Sequence, residues 1–168
     1  MEEDRKPKHV HCDGCCKLNF EVMPANRPAA ISVPFWAQAT AVGEICGQGC
    51  EGHIQVSAQG LIPFGVYTLF FATDRGPWPA GPLGASYTGD GFDPNKLVVN
   101  GEGILSYYVA PLDFNPLRGI PTPNGVAKII SVTINYHPNG NTNGMTPGIP
   151  NVDVFDQLIA PMCYPRMD

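Results

Sequence analysis

The sequence has no long apolar run and little charge. No stretch approaches the roughly 20 apolar residues of a membrane-spanning helix, so we expect no membrane span. Charged residues make up 15% of the chain, against about 25% in an average protein. The formal net charge of −5 argues against a nucleic-acid partner. The motifs of P-loop proteins, serine hydrolases and zinc proteases are also missing, so we expect neither enzymatic activity nor a cofactor.

The few charges that are present crowd at the N-terminus. Residues 1–21 hold nine of them, whereas residues 30–160 hold 13 in 131 positions. The surface of a soluble monomer normally carries more charge than this. Three explanations stay open: a surface buried against neighbouring molecules, a coat of glycans, or a neutral polar surface. Because no Asn-x-Ser/Thr sequon is present, a glycan would have to be O-linked.

Glycine and proline, by contrast, are abundant, and a helical apolar stripe is absent. The 19 glycines and 18 prolines would interrupt any helical bundle. Apolar and polar residues instead alternate in short runs between turn residues, at 18–22, 31–40, 54–59, 66–72, 97–99, 104–109, 126–137 and 152–158. This pattern predicts an all-β fold, an antiparallel β-sandwich of eight or nine strands of Ig-like or jelly-roll type.

The alternation also predicts which side chains are exposed. In the run 31–40 it places Trp36 on the polar side, and in the run 126–137 it places His137 at the surface. Trp78 lies in a Pro-Trp-Pro segment that holds it rigid. Exposed aromatic rings bind sugars or proteins, which makes Trp36 and Trp78 candidate binding residues. Packing against a neighbouring loop is the alternative for both.

An even number of cysteines in a Gly/Pro-rich chain indicates disulfides and an oxidising compartment, here extracellular or at the cell surface. The six candidates are Cys12, Cys15, Cys16, Cys46, Cys50 and Cys163. Their spacing does not determine which of them pair. A metal site is one alternative, with His9, His11, Cys12 and Cys15 as ligands of the types that zinc prefers. Free thiols are the other alternative.

The N-terminal segment is predicted to be a separable arm. Leu18, Phe20 and Val22 alternate like a half-buried strand, between a charged leader and a proline-bounded break at 24–28. We therefore expect an arm at 1–28 and a sandwich domain at 29–168. The arm could pair with its own body or add a strand to the sheet edge of a neighbouring copy. A head-to-tail contact of the second kind does not close, so it propagates as a filament.

The segment of residues 136–148 reads Tyr-His-Pro-Asn-Gly-Asn-Thr-Asn-Gly-Met-Thr-Pro-Gly. It resembles the Tyr-His-x-Asp-Gly-x-Thr-x-Gly turn of secreted prokaryotic all-β domains. Residues 60–68, Gly-Leu-Ile-Pro-Phe-Gly-Val-Tyr-Thr, resemble the strand entry Gly-Leu-x-Pro-x-x-x-Tyr-Thr of the same domains. The resemblance covers about residues 54–158 and implies an extracytoplasmic β-sandwich without a settled activity. Asn139 stands where that turn has an acid, so ion binding is not implied.

Together these features predict an extracellular structural protein, a self-assembling subunit of a fibre or surface layer. Its partners would be other copies of itself, joined by addition of the N-terminal strand. The alternative is a carbohydrate- or metal-binding module with a glycan as a possible partner. A third hypothesis is a hydrolase that uses paired acids, Asp90 with Asp93 or Asp153 with Asp156. Acids beside glycines in loops are more typical of solvated turns.

Overall fold

A computed structural model of the chain describes residues 13–81 and 93–163. Within these ranges the strands are β1 (Gly14–Asn19), β2 (Glu21–Val22), β3 (Thr40–Gln48), β4 (Glu51–Gln59), β5 (Val66–Thr73), β6 (Gly76–Pro79), β7 (Leu97–Val98), β8 (Leu105–Leu112), β9 (Ile120–Thr122), β10 (Gly125–Ala127), β11 (Ile129–His137) and β12 (Phe155–Pro161). A 3-10 helix spans Pro24–Asn26, and helix α1 spans Val33–Ala37. No helix in the described ranges has the length and apolar character needed to cross a bilayer.

The strands form two main antiparallel sheets and a small hairpin, which confirms the predicted all-β fold. The four-stranded sheet has the order β1-β3-β4-β8, and the six-stranded sheet has the order β2-β12-β11-β5-β6 with β7 beside β5. Strands β9 and β10 pair with each other. The described residues form twelve strands rather than eight or nine. Most of the excess comes from strands of two or three residues, which are too short to produce a visible alternation.

One apolar core lies between the two main sheets. Ile45, Ile54 and Val56 project into it from the four-stranded sheet, and Phe71 and Ile134 from the six-stranded sheet. All five are fully buried because alternate residues of each strand point to the same side. Each such side chain contributes about 1.5–3 kcal/mol through removal of apolar surface from water. The predicted strand over 152–158 is partly wrong, since Val152 is exposed and β12 begins only at Phe155.

The described part of the predicted arm belongs to the sandwich itself. Strand β1 pairs with β3, and β2 pairs with β12 of the other sheet, so the chain crosses between the sheets near residue 20. Leu18 is fully buried in the core, while Phe20 and Val22 are half-buried against it. The expected division at residue 28 is therefore wrong for residues 13–28. The alternation of Leu18, Phe20 and Val22 reflects burial in the chain's own core.

The run 31–40, predicted as a strand, contains helix α1. The hydroxyl of Ser32 accepts a hydrogen bond from Phe35 N at 3.4 Å and caps the helix. Pro34 lies in the first turn, where its missing N–H leaves no helical hydrogen bond unmade. The helical turn directs Trp36 inward, with 0% of the residue exposed. The prediction of Trp36 as an exposed binding residue is therefore wrong.

Trp36 holds α1 against the six-stranded sheet through both polar and aromatic contacts. Its indole Nε1 donates to the backbone oxygen of Met23 at 3.0 Å. Its own backbone oxygen accepts from Nε2 of the buried Gln157 at 3.1 Å. The indole also meets the ring of Tyr136 edge to face, with ring centroids 5.8 Å apart.

We expect Trp36→Ala to lower the free energy of unfolding by about 3–5 kcal/mol, because a large buried side chain leaves a cavity. Urea unfolding followed by circular dichroism measures this change. The matched control is Val33→Ala on the same helix, where the side chain is 53% exposed. The control should change stability by no more than about 0.5 kcal/mol. Equal effects of the two substitutions would contradict the assigned role of Trp36.

Candidate functional site

The four-stranded sheet has a nearly neutral surface on the side away from the core. Two rows of exposed side chains cross all four of its strands: Lys17, Glu44, Gln55 and Tyr108 in the first row, and Asn19, Val42, Ser57 and Ser106 in the second. We call this surface the outer face. Only Lys17 and Glu44 are charged, and their signs are opposite. A molecule that binds to the outer face therefore has to remove water from few charged groups.

An open cleft of about 630 Å³ lies at one end of the outer face, beside the β3–β4 hairpin. Its lining includes acidic, amide, imidazole and sulfur groups, from Asp13, Cys15, Cys46, Gln48, Glu51 and His53. The ring of His53 is tilted against that of Tyr108, with centroids 6.1 Å apart. Tyr108 is 65% exposed, so the cleft adjoins an accessible aromatic ring on the outer face.

Two disulfides hold β1, which confirms part of the cysteine prediction. Consecutive residues of a strand point to opposite sides, so Cys15 points outward and Cys16 points into the core. Cys15 bonds to Cys46 directly opposite on β3, and Cys16 bonds to Cys163 after β12. The first bond lies in the cleft. The second ties the two sheets together.

The remaining cysteines of the prediction are Cys12 and Cys50. Cys50 is exposed in the β3–β4 turn and unbonded among the described residues, while Cys12 lies outside them. The neighbour of Cys12 in the chain is Asp13, whose carboxylate accepts a hydrogen bond from Gly49 N at 2.9 Å. Gly49 in turn precedes Cys50. The chain therefore enters β1 beside the turn that carries Cys50.

The predicted metal-ligand set is not assembled within the described residues. His9, His11 and Cys12 lie outside them, and Cys15 is committed to its disulfide with Cys46. Residues that do approach one another are Cys15, Cys46 and Glu44. The Glu44 Oε1 atom lies 3.3 Å from Cys46 Sγ.

Three polar residues of β11 that alternation directs outward, Thr133, Asn135 and His137, are buried. Nε2 of His137 lies 2.7 Å from the Thr68 hydroxyl oxygen. Thr133 donates to Asn135 Oδ1 at 2.7 Å, and Asn135 Nδ2 donates to Asp156 Oδ1 at 2.6 Å. Burial raises the pKa of Asp156. His137 is 1% exposed, so its prediction as a surface residue is wrong.

Two of the described acids of the hydrolase hypothesis hold loops in place, and the third, Asp156, lies in β12 and accepts from Asn135. Asp93 accepts hydrogen bonds from Asn95 N and Gly144 N, both at 2.9 Å, and so joins two loops. Asp153 accepts from Ile149 N at 3.1 Å within its own turn. Asp90 lies outside the described residues. These bonds give Asp93 and Asp153 a structural role.

Trp78 is a weaker binding candidate than the sequence predicts. It is half-buried and packs against the core, and its indole Nε1 is buried. The aromatic ring that is accessible beside the cleft belongs to Tyr108, which the sequence analysis did not single out. Alternation over 104–109 indicates that Tyr108 points outward. Its position beside Gln55 and His53 depends on the pairing of β4 with β8, about 50 residues apart in sequence.

Comparison with known proteins supplies no relative from which a role can be transferred. No family model matches the chain, and no curated protein or solved structure matches it. The resemblance of the turn at 136–148 to secreted all-β domains stays a prediction.

We expect all six cysteines to be oxidised, with Cys12 bonded to Cys50. The intact mass should lie about 6 Da below the fully reduced mass, two hydrogens per disulfide. Stepwise reduction and alkylation should identify the pairs, since no protease separates the adjacent Cys15 and Cys16. Thiols at Cys12 and Cys50 in the unreduced protein would contradict the third pair.

We expect His137 to make stability fall on acidification. Burial lowers its pKa from the ordinary value of 6.5, although nearby Asp93, Asn141 and Asp153 oppose the shift. The unfolded chain then binds the proton more readily than the folded one, so this contribution is complete above pH 6.5 and is lost as the pH falls below it. Thermal melts across this range should show a smaller decline in His137→Asn. The raised pKa of Asp156 makes stability rise on acidification. Because Asp156 is present in both proteins, its contribution cancels when the two pH profiles are compared. An equal fall in melting temperature with pH in the two proteins would contradict the role of His137.

Proposed function

We propose that the protein is an extracellular structural subunit whose copies join edge to edge through the four-stranded sheet, as in a fibre or surface layer. The observation that carries the proposal is the character of β8. This strand is eight residues long, lies at the end of its sheet and contains no charged residue. The two disulfides are compatible with an extracellular location.

An uncharged edge strand favours pairing with another chain. Proteins that remain monomeric usually protect such edges with charges, prolines or bulges. In the described part of the chain β8 pairs only with β4, and Pro111 affects only the end of the strand. The backbone from residue 105 to 110 is therefore suited to accept a further strand.

The opposite end of the same sheet is β1, a different strand. Contact of β8 in one copy with β1 in the next is heterologous, and such a contact propagates unless rotation closes a ring. The disulfides of Cys15 and Cys16 hold β1 in place, so little conformational entropy is lost when it pairs. This route uses β1 as a fixed edge. Donation of β1, the route that the sequence suggested, would expose the fully buried Leu18.

The charge distribution supports the same association. Residues 30–160 carry only 13 charged side chains, and the outer face carries one of each sign. Few charged side chains therefore have to lose their water when copies pack against one another. Burial against neighbouring copies thus accounts for the low charge of the body.

A carbohydrate-binding module is the second candidate, favoured by the exposed ring of Tyr108 beside the cleft. Polar groups of Gln48, Glu51 and His53 line the cleft and suit the hydroxyls of a sugar, while aromatic rings pack on sugar faces. Retention on a glycan array by a protein that stays monomeric at every concentration would favour this candidate over self-assembly.

We expect Ser106→Lys to raise the concentration for half-maximal assembly by about ten-fold. The new charge lies on the solvent side of β8. In the proposed contact it faces Lys17 on β1 of the next copy, and like charges across an interface disfavour association. Light scattering over a concentration series measures the assembly. Electron microscopy of the same samples reports whether filaments form.

The matched control is Ser57→Lys, in the same row but on the central strand β4. It adds the same charge and should shift assembly less than Ser106→Lys does. Thermal melts should show both variants folded. A wild-type protein that stays monomeric at high concentration, or equal shifts in the two variants, would overturn the edge-to-edge proposal.

A further inference from the structure

We propose that reduction of the Cys15–Cys46 disulfide creates a site for a thiophilic divalent metal ion, Zn²⁺, with Cys15, Cys46 and Glu44 as ligands. The disulfide is thus a redox-controlled metal site on the outer face. The proposal does not depend on self-assembly. It concerns residues at the cleft end of the sheet, whereas the assembly proposal concerns its edges.

The three candidate ligands are already assembled. Cys15 and Cys46 lie directly opposite on paired strands, with Cα atoms 4.1 Å apart, so the backbone keeps the sulfurs adjacent after the S–S bond opens. The sulfurs and a carboxylate oxygen of Glu44 all lie within 4.8 Å of one another. Zinc binds thiolate at about 2.3 Å and carboxylate at about 2.0–2.2 Å, so rotamer adjustments on the order of 1 Å suffice.

The surroundings favour a cation at this position. Asp13 and Glu51 line the same cleft, and acidic walls raise the local concentration of cations. His53 lies opposite Cys46 on β4 and also lines the cleft, so its imidazole or a water molecule can take the fourth position. Lys17, opposite Glu44 on β1, is the nearest cation in the pairing register.

Exposure to solvent distinguishes the Cys15–Cys46 disulfide from the Cys16–Cys163 disulfide. Cys15 is exposed and the cleft opens to solvent, so a small reductant reaches the sulfurs. Cys16 is 1% exposed in the core, and its bond to Cys163 still holds β1 when the outer bond opens. The fold around the proposed site therefore persists after selective reduction.

The chemistry balances with a low-molecular-weight thiol as the reductant. Two thiol molecules reduce the S–S bond, leave Cys15 and Cys46 as thiols, and are themselves joined in a disulfide. Zn²⁺ then displaces one proton from each cysteine and forms two Zn–S bonds, without a change in its oxidation state. A low-molecular-weight disulfide then reoxidises Cys15 and Cys46, is itself reduced to two thiols, and the re-formed S–S bond releases the ion.

The test compares two samples of the full-length protein. One is fully oxidised; the other is selectively reduced with a phosphine, which is then removed under anaerobic conditions. Zinc affinity is measured by competition with a chromophoric chelator, and Co²⁺ serves as a spectroscopic probe. We expect one Zn²⁺ per reduced chain, none at this site in the oxidised chain, and cobalt bands typical of tetrahedral thiolate ligation. Alkylation mapping identifies the bond that was reduced, and circular dichroism reports whether the fold persists.

Three variants assign the ligands. Cys46→Ser should abolish the thiolate bands, and Glu44→Gln should weaken zinc binding by at least about ten-fold, since even outer partners of metal ligands contribute that much. The double variant Cys12→Ser/Cys50→Ser removes the expected third disulfide, whose cysteines are outside the proposed set, and should leave affinity unchanged. Zinc binding that survives Cys46→Ser, loss of binding in Cys12→Ser/Cys50→Ser, or unfolding on selective reduction would each overturn the proposal.

Discussion

The adjacent cysteines of β1 fix the first strand to both layers of the sandwich. Because neighbouring side chains of a strand point to opposite sides, Cys15 reaches β3 on the outer face and Cys16 reaches Cys163 beyond the core. The two bonds close loops of 31 and 147 residues in sequence separation. In the chain-entropy description they destabilise the unfolded state by about 4 and 5 kcal/mol. The Cys16–Cys163 bond joins the two layers across the core, while the Cys15–Cys46 bond reinforces the pairing of β1 with β3.

The two main sheets differ in how their outward sides are used. The outward residues of β5 and β11 include Thr68, Thr133, Asn135 and His137, and all four are buried and hydrogen-bonded. Buried polar groups need such partners, so this side of the six-stranded sheet serves the fold. The outer face of the four-stranded sheet instead remains exposed. It is thus the sheet surface on which the described residues can meet another molecule.

The same features of the four-stranded sheet underlie both proposals. Its scarcity of charge leaves β8 without the protection that edge strands usually have. Its exposed disulfide lies at the cleft, where Glu44 is close enough to interact with a released sulfur. The Cys16–Cys163 bond lets the outer bond change while the sandwich stays closed. The inner disulfide therefore holds β1 in place while the outer disulfide is reduced.

Local residue patterns were enough to predict the all-β class and the strands β4 and β8, because half-burial imposes a period of two on their side chains. The apolar run of β5 and the alternation of residue types along β11 also predicted strands, although both are buried on two sides. It also indicated disulfides, through an even cysteine count, without indicating their pairs. Strand pairing between distant segments brings Cys15 to Cys46 and Tyr108 to His53, and it buries Leu18 in the chain's own core. Trp36 and His137 were placed wrongly for the same reason: burial depends on segments distant in sequence, and local alternation carries no information about them.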